Sequence, residues 1–144
     1  MAKIRKANSK DIREIAKLML EEFKKPPFNE SASLNAVFKS LKFYFKIGKV
    51  YVAIENGIIG VVAFKVEQYW EGPVIIIEDL AVKDKFKKQN IGKILMNNIE
   101  NYAKKNKIKI IRFKTNKKSS AVKFYQKYGY KIRKDVVSME KKFK

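Results

Sequence analysis

The chain has 144 residues, 46% of them hydrophobic, and a net charge of +20, with neither cysteine nor histidine. Lack of cysteine removes disulfides and thiolate metal sites, and lack of histidine removes the usual general base and the commonest zinc ligand. A Ser-His-Asp hydrolase and the familiar zinc enzymes are thereby excluded, no metal is expected, and acid–base chemistry is left to carboxylates, tyrosine, lysine or water.

Residues 3–7 read as a short first strand. Ser9 is the expected cap of a helix whose apolar residues Ile12, Ile15, Ala16, Met19 and Phe23 keep helical spacing, and "KKPPF" stops it. Leu34, Val37, Phe38, Leu41 and Phe45 predict a second helix ending near Gly48. "KVYVAIE" and "IIGVVAFKVEQYW" are strand patterns joined by Asn56-Gly57, a hairpin signal because both residues tolerate positive φ. "EGP" turns the chain into "VIIIEDLAV", a strand buried on both faces. A helix with Ile91, Ile94, Leu95, Ile99 and Tyr102 on its apolar side follows, then a strand over 107–115. Ala121, Phe124, Tyr125 and Tyr128 mark a short helix closed by Gly129, and the tail 130–143 reads as one or two final strands. This order predicts a mixed sheet covered by helices, an α/β or α+β sandwich. Its length suits a single domain over 1–144. No apolar run approaches a membrane helix or a signal peptide, so a cytoplasmic protein off the membrane is expected.

The charge is uneven. Residues 1–82 carry 13 Lys/Arg against 10 Asp/Glu, and residues 83–144 carry 21 against 4. A basic half reads as the footprint of a polyanion, either nucleic acid or a phosphorylated cofactor. "KFKKQNIGKILM", residues 85–96, runs lysines into a helix start beside Gly92. Helix N-termini present unpaired N–H groups and partial positive charge, which suits an anion. The spacing is not that of a nucleotide-hydrolysing P-loop. In the preceding strand Glu78 and Asp79 interrupt apolar sequence, where burial is costly unless they are paired or solvated. Strict alternation puts Glu78, Leu80 and Val82 on one face and Asp79 and Ala81 on the other.

With "EDLAVKDKFKKQNIGKIL" and "SSAVKFYQKYGY" at these places, the chain resembles the GNAT superfamily of N-acetyltransferases over nearly its whole length. The resemblance implies an α/β (α+β) GNAT fold: a mixed, largely antiparallel sheet with a splayed fourth/fifth strand pair and about four helices. It implies an acyltransferase that passes an acetyl group from acetyl-CoA to a primary amine. The family's helix-entry signature falls on Lys87, Asn90 and Gly92. Lysine there replaces arginine or glutamine, and Asn90 replaces a glycine, a position asparagine can fill because it tolerates left-handed backbone. The implied cofactor contacts are the main chain of Leu80, Ala81 and Val82 for the pantetheine arm. For the pyrophosphate they are Lys87, Lys88, Gln89, Asn90, Ile91, Gly92 and Lys93, with Ser119 in the later loop, where Lys118 stands at the family's usual asparagine. Glu78 is implied as proton acceptor, directly or through water, with Asp79 as the other candidate. Tyr125 is implied as proton donor to the departing sulfur.

The strand resembles that of diamine and polyamine acetyltransferases, while similar strands occur in protein acetyltransferases, so the acceptor is a small amine, a polyamine or a protein amine. Glu30, Glu55, Glu67, Glu71, Glu78 and Asp79 are candidates to line a cleft for a cation, and Tyr69 and Trp70 either stack on the acceptor or cover the sheet edge. A homodimer is compatible with this reading. The alternative is a non-catalytic basic domain that binds nucleic acid, or a degenerate CoA-binding protein.

Overall fold

The computed structural model describes residues 2–144, in two units: one up to Lys114 and one over Thr115–Lys144. In the first unit, strand β1 (Lys3–Lys6) leads to helix α1 (Ile12–Phe23) through a tight turn over Ser9–Asp11. Asn8, and not Ser9, opens that turn. Its side-chain oxygen accepts from the Lys10 N–H at 2.9 Å, while Asp11 accepts from the Asn8 N–H at 2.8 Å. A carboxyl three residues on closes a reciprocal capping box with Asn8, which Ser9 is one position too late to form. Asp11 also takes two bonds from the Arg5 guanidinium, at 2.7 and 2.9 Å, and so ties β1 to the helix entry.

Helix α2 (Leu34–Ile47) is capped by Ser33 and ends at Gly48. A Cβ at Gly48 would stand 2.3 Å from the Phe64 carbonyl oxygen, so only glycine fits. Strands β2 (Lys49–Ile54) and β3 (Ile58–Tyr69) turn over Asn56 and Gly57, with φ of 53° and 111°. Strand β4 (Gly72–Val82) is followed by a 3-10 turn over Asp84–Gln89 and helix α3 (Ile91–Lys105). Strand β5 (Ile110–Phe113) is shorter than the expected 107–115. Lys107 adopts φ 58° and the Ile108 N–H bonds back to the Ala103 carbonyl, so these residues close α3 instead of starting a strand.

The sheet order is β1-β2-β3-β4-β5, antiparallel except for the parallel β4–β5 pair. Helices α1 and α2 pack one face, where Ile15, Leu18, Met19 and Leu41 meet Val50, Val52, Val61, Ala63 and Ala81. Helix α3 covers the other. Ile91 and Leu95 approach Gly60 so closely that a Cβ there would meet them at 3.0 and 3.1 Å, and Tyr102 sets its ring edge-on to Phe64 at 5.2 Å. Burial on both faces explains why β4 reads as a nearly unbroken apolar run.

Two irregularities in β4 place the site. Ala63 pairs with Asp79 but Phe64 pairs with Ile77, which leaves Glu78 as the extra residue of a bulge. The β4–β5 ladder spans only Val74–Ile77 against Ile110–Phe113, so Glu78–Val82 runs on without a β5 partner. This is the splay the resemblance implies.

The second unit holds helix α4 (Ala121–Lys127), closed by Gly129 at φ 91°. Phe124 packs against Tyr125 and Tyr128 at 5.4 and 4.9 Å, and Tyr125 against Tyr130 at 6.1 Å. The expected final strands are absent among the described residues, and Ile132, Val136, Val137, Met139 and Phe143 are exposed. The apolar positions change parity between 136 and 137, so no single face of a strand collects them.

Candidate active site

The bulge corrects the alternation expected for β4. It resets the pleat, so Asp79 and Ala81 take the face that Val74 and Ile76 occupied before it. Glu78 reaches the same side. Its carboxylate lies 3.0 Å from Lys65 Nζ, and Lys65 pairs with Ile76. The same ammonium holds Glu67 at 2.7 Å. Both acids therefore stand on the α1–α2 side of the sheet.

The Asp79 carboxyl faces the Tyr44 hydroxyl of α2, near enough for the two groups to bear on one another. Its carboxyl is nevertheless pushed up to about 6. Burial is the main cause; the Tyr44 hydroxyl opposes it, and the charges of Glu30 and Glu78 add to it. Burial, then Asp79, Glu78 and Glu30, likewise raise the Tyr44 phenol, which stays protonated. Of the six acids named from the sequence, three thus act together around Tyr44. Glu67 joins through Lys65, Glu71 pairs instead with Arg112 at 3.0 Å, and Glu55 lies at the β2–β3 turn. Trp70 is fully exposed and covers nothing, while Tyr69 lies under Arg112 and donates to Glu67 at 2.8 Å. Tyr44 and Lys65 are the two site residues the sequence reading missed. Tyr44 stands three residues after Leu41 on the α2 stripe, so helical spacing was a signal for it; Lys65 had none.

Beyond the acids, Leu80, Ala81 and Val82 offer the main-chain edge that β5 does not reach, with the side chains of Ala81 and Val82 buried. The Lys83 N–H bonds to the Ile59 carbonyl at 2.9 Å and fixes where the strand ends. Asn90 sits at φ 63°, ψ 23°, the left-handed geometry expected of it, and α3 begins at the next residue. The Asn90 side chain does not cap that helix start and the first turn carries no acid, which leaves its N–H groups and dipole suited to an outside anion. A free strand edge leading to an uncapped helix start fits a ligand with amides at one end and phosphates at the other. Ile91 contributes an anchor, being buried, whereas Lys88, Gln89 and Lys93 are exposed. Lys87 is committed to carboxylates: Glu22 at 3.0 Å and Asp84 at 2.7 Å.

In the second unit, Ser119 Oγ accepts from the Ala121 N–H at 3.2 Å and so holds the start of α4. Burial raises the Tyr125 phenol above its ordinary value, so it is protonated at neutral pH. Among the described residues no helix is long and apolar enough to cross a membrane.

The family described as Acetyltransferase (GNAT) domain matches residues 46–132, more than half of the chain. The fold is similar to a possible acetyltransferase from Clostridium difficile 630, with a TM-score of 0.84, 19% identity and 99% of each chain covered. It is similar to a predicted acetyltransferase from Clostridium acetobutylicum solved with acetyl-CoA, with a TM-score of 0.75, 19% identity, and 97% and 96% covered. AAC(6')-Iy, solved with a bisubstrate analog of CoA and acetylneamine, gives 0.80, 15% identity and 99% of each chain. No curated protein matches the chain.

Proposed function

Since the chain belongs to the GNAT acetyltransferase family, we propose that it uses acetyl-CoA to acetylate a primary amine by direct attack, as one domain over 1–144. The single observation that carries the acceptor reading is the gathering of Glu30, Glu78 and Asp79 around Tyr44 in a chain of net charge +20. A cationic amine, small, polyamine-like or on a protein, suits that face.

An alkylammonium cannot attack; near pH 7 such an amine is neutral only on the order of 0.1% of the time or less. A carboxylate must take its proton, and a base works best with a pKa near the working pH. Asp79, at about 6, meets that condition. Glu78, paired to Lys65, adds negative charge that holds the ammonium and helps raise the Asp79 carboxyl toward the working pH. Proton acceptance is therefore assigned to Asp79, with Glu78 as its partner. Tyr44, facing Asp79 with a protonated hydroxyl, is placed to orient its carboxylate.

Acetyl-CoA, when bound, supplies the activated acetyl thioester. The main chain of Leu80–Val82 holds its amide-bearing arm, and the N–H groups from Gln89 to Lys93, with the Lys88 and Lys93 ammoniums, hold its phosphates. The Tyr125 hydroxyl, which burial keeps protonated at neutral pH, supplies the proton that the leaving sulfur takes. Ser119 holds the entry of the helix that carries Tyr125.

A panel of amines, assayed with acetyl-CoA across pH, tests the reading. Acetylation of a polycationic amine, with an acidic limb near pH 6 that Asp79→Asn abolishes, is expected. If Glu78→Gln removes that limb and Asp79→Asn keeps it, Glu78 is the acceptor, as the sequence alone suggests. Binding of DNA or RNA at physiological salt, with no rise in melting temperature on adding acetyl-CoA, would overturn the enzyme reading.

A further inference from the structure

Glu22, near the end of α1, is buried with 7% of its surface exposed. Its Oε2 lies 3.0 Å from Lys25 Nζ and its Oε1 3.0 Å from Lys87 Nζ. Asp84 faces the same two ammoniums: Oδ1 lies 2.7 Å from Lys87, and Oδ2 pairs with Lys25. The four groups alternate in sign and close a ring between α1 and the 3-10 turn that precedes α3. We infer that this ring clamps the cofactor loop to α1, and that Lys87 is a positioning residue of the loop, not a ligand of the phosphates. The inference rests on the acetyl-CoA reading.

Three observations lead there. The charge of Lys87 is cancelled locally by two carboxylates. Swinging its ammonium to a phosphate would leave buried Glu22 with a single partner, and a buried charge that loses a partner is strongly destabilised. Asp84, 57% exposed, stands on the turn itself, where an acid opposes phosphate binding unless it has another task. Lys88 lies outside the ring and is exposed, so the loop keeps a lysine for phosphates. The ring also has a second end. Lys25 leads directly into residues 26–33, whose Glu30 bears on Asp79 and Tyr44. One clamp thus sets both the cofactor loop and the start of the segment beside the acceptor acids.

The sign of one effect tests this. If Lys87 served the phosphates, Asp84→Asn would free it, remove a repelling charge and tighten CoA binding. As a clamp member, Asp84→Asn must loosen the loop and weaken CoA binding, by about two- to fivefold for the ion pairs lost. Asp84 is exposed, so this variant keeps its fold. Calorimetry with CoA on wild type, Asp84→Asn, Lys87→Met and the double variant is expected to show little added loss in the double, because both remove one network. Amide exchange without ligand should quicken over residues 84–92 in Asp84→Asn. Tighter or unchanged CoA binding, or unchanged exchange, overturns the clamp. A wild-type chain that binds no CoA would instead overturn the proposed function, and the exchange result would still decide the clamp.

Discussion

Asp79 and Asp84 lie five positions apart, one on β4 and one on the turn that follows it, and their carboxyls move in opposite directions. Asp84 is surrounded by two ammoniums and is driven down to about 2, with the Lys25 bond as the larger cause and Lys87 next. Asp79 is half-buried beside Glu30 and Glu78 and is driven up to about 6. Opposite charges that close on one another make a fixture that stays ionised at any working pH. Like charges gathered on a buried face make a group that exchanges protons near neutrality. On the proposed reading the first kind lies at the cofactor loop, where position matters, and the second at the acceptor face, where a proton is to move.

Removing the proton-handling groups should have the largest effect. Asp79→Asn and Tyr125→Phe are each expected to lower turnover by roughly 10²–10⁴-fold, with CoA binding by calorimetry nearly unchanged. They should differ with pH: the Asp79→Asn enzyme recovers partly at high pH, where solvent deprotonates the amine, and the Tyr125→Phe enzyme does not. A Tyr125→Phe enzyme with wild-type turnover, measured where chemistry limits the rate, would make that tyrosine a packing residue of α4.

Next in size is the cofactor loop. Gly92→Val should put a branched side chain against the approaching phosphates at the start of α3 and weaken CoA about tenfold or more, as for a lost charge-assisted hydrogen bond. Circular dichroism should show an intact fold. Normal CoA affinity in this variant would remove the helix start from the site.

The two aspartates should also leave opposite marks on stability. Asp79 holds a proton more tightly when folded, so between its ordinary value and about 6 the native state binds more protons and stability falls as pH rises. Asp79→Asn should therefore stabilise the protein above pH 6, by on the order of 1–2 kcal/mol after allowing for partial exposure. Asp84 behaves in the reverse sense: its contribution is present above its ordinary value and is lost as pH falls toward about 2. Urea melts at pH 4 and pH 7 on both variants check the two signs. An Asp79→Asn protein less stable than wild type at pH 7 would mean that the charge of Asp79 supports the fold.

The smallest effect separates Lys88 from the clamp. CoA affinity should fall with salt, as the screening length shrinks to about 3 Å at 1 M. Lys88→Ala should flatten that dependence slightly without altering amide exchange in the loop. A salt dependence equal to wild type would leave the phosphates to backbone N–H groups alone.

Much of the fold follows from segments taken one at a time. Helical spacing located α1, α2, α3 and α4, and the turn chemistry of Asn56-Gly57 located a hairpin, because periodicity and φ preference belong to each segment alone. Asn90 is the clearest case in the site: its tolerance of left-handed backbone is intrinsic, and it takes that geometry at the entry to α3. Glu78 and Asp79 were legible as acids that interrupt an apolar run, and the strand edge after them only through the family resemblance. What those candidates do was decided between segments. The bulge at Glu78 exists only in register with Ala63 and Phe64, and it turned both acids to one face against the alternation that β4 alone implies. Tyr44 reached Asp79 from another layer, the buried partner of Lys87 came from α1, and Lys25 and Asp84 pair although 59 positions separate them in the chain. A pKa or an ion pair depends on which groups are brought together and how much water is excluded, and neither quantity is a property of a single stretch of chain.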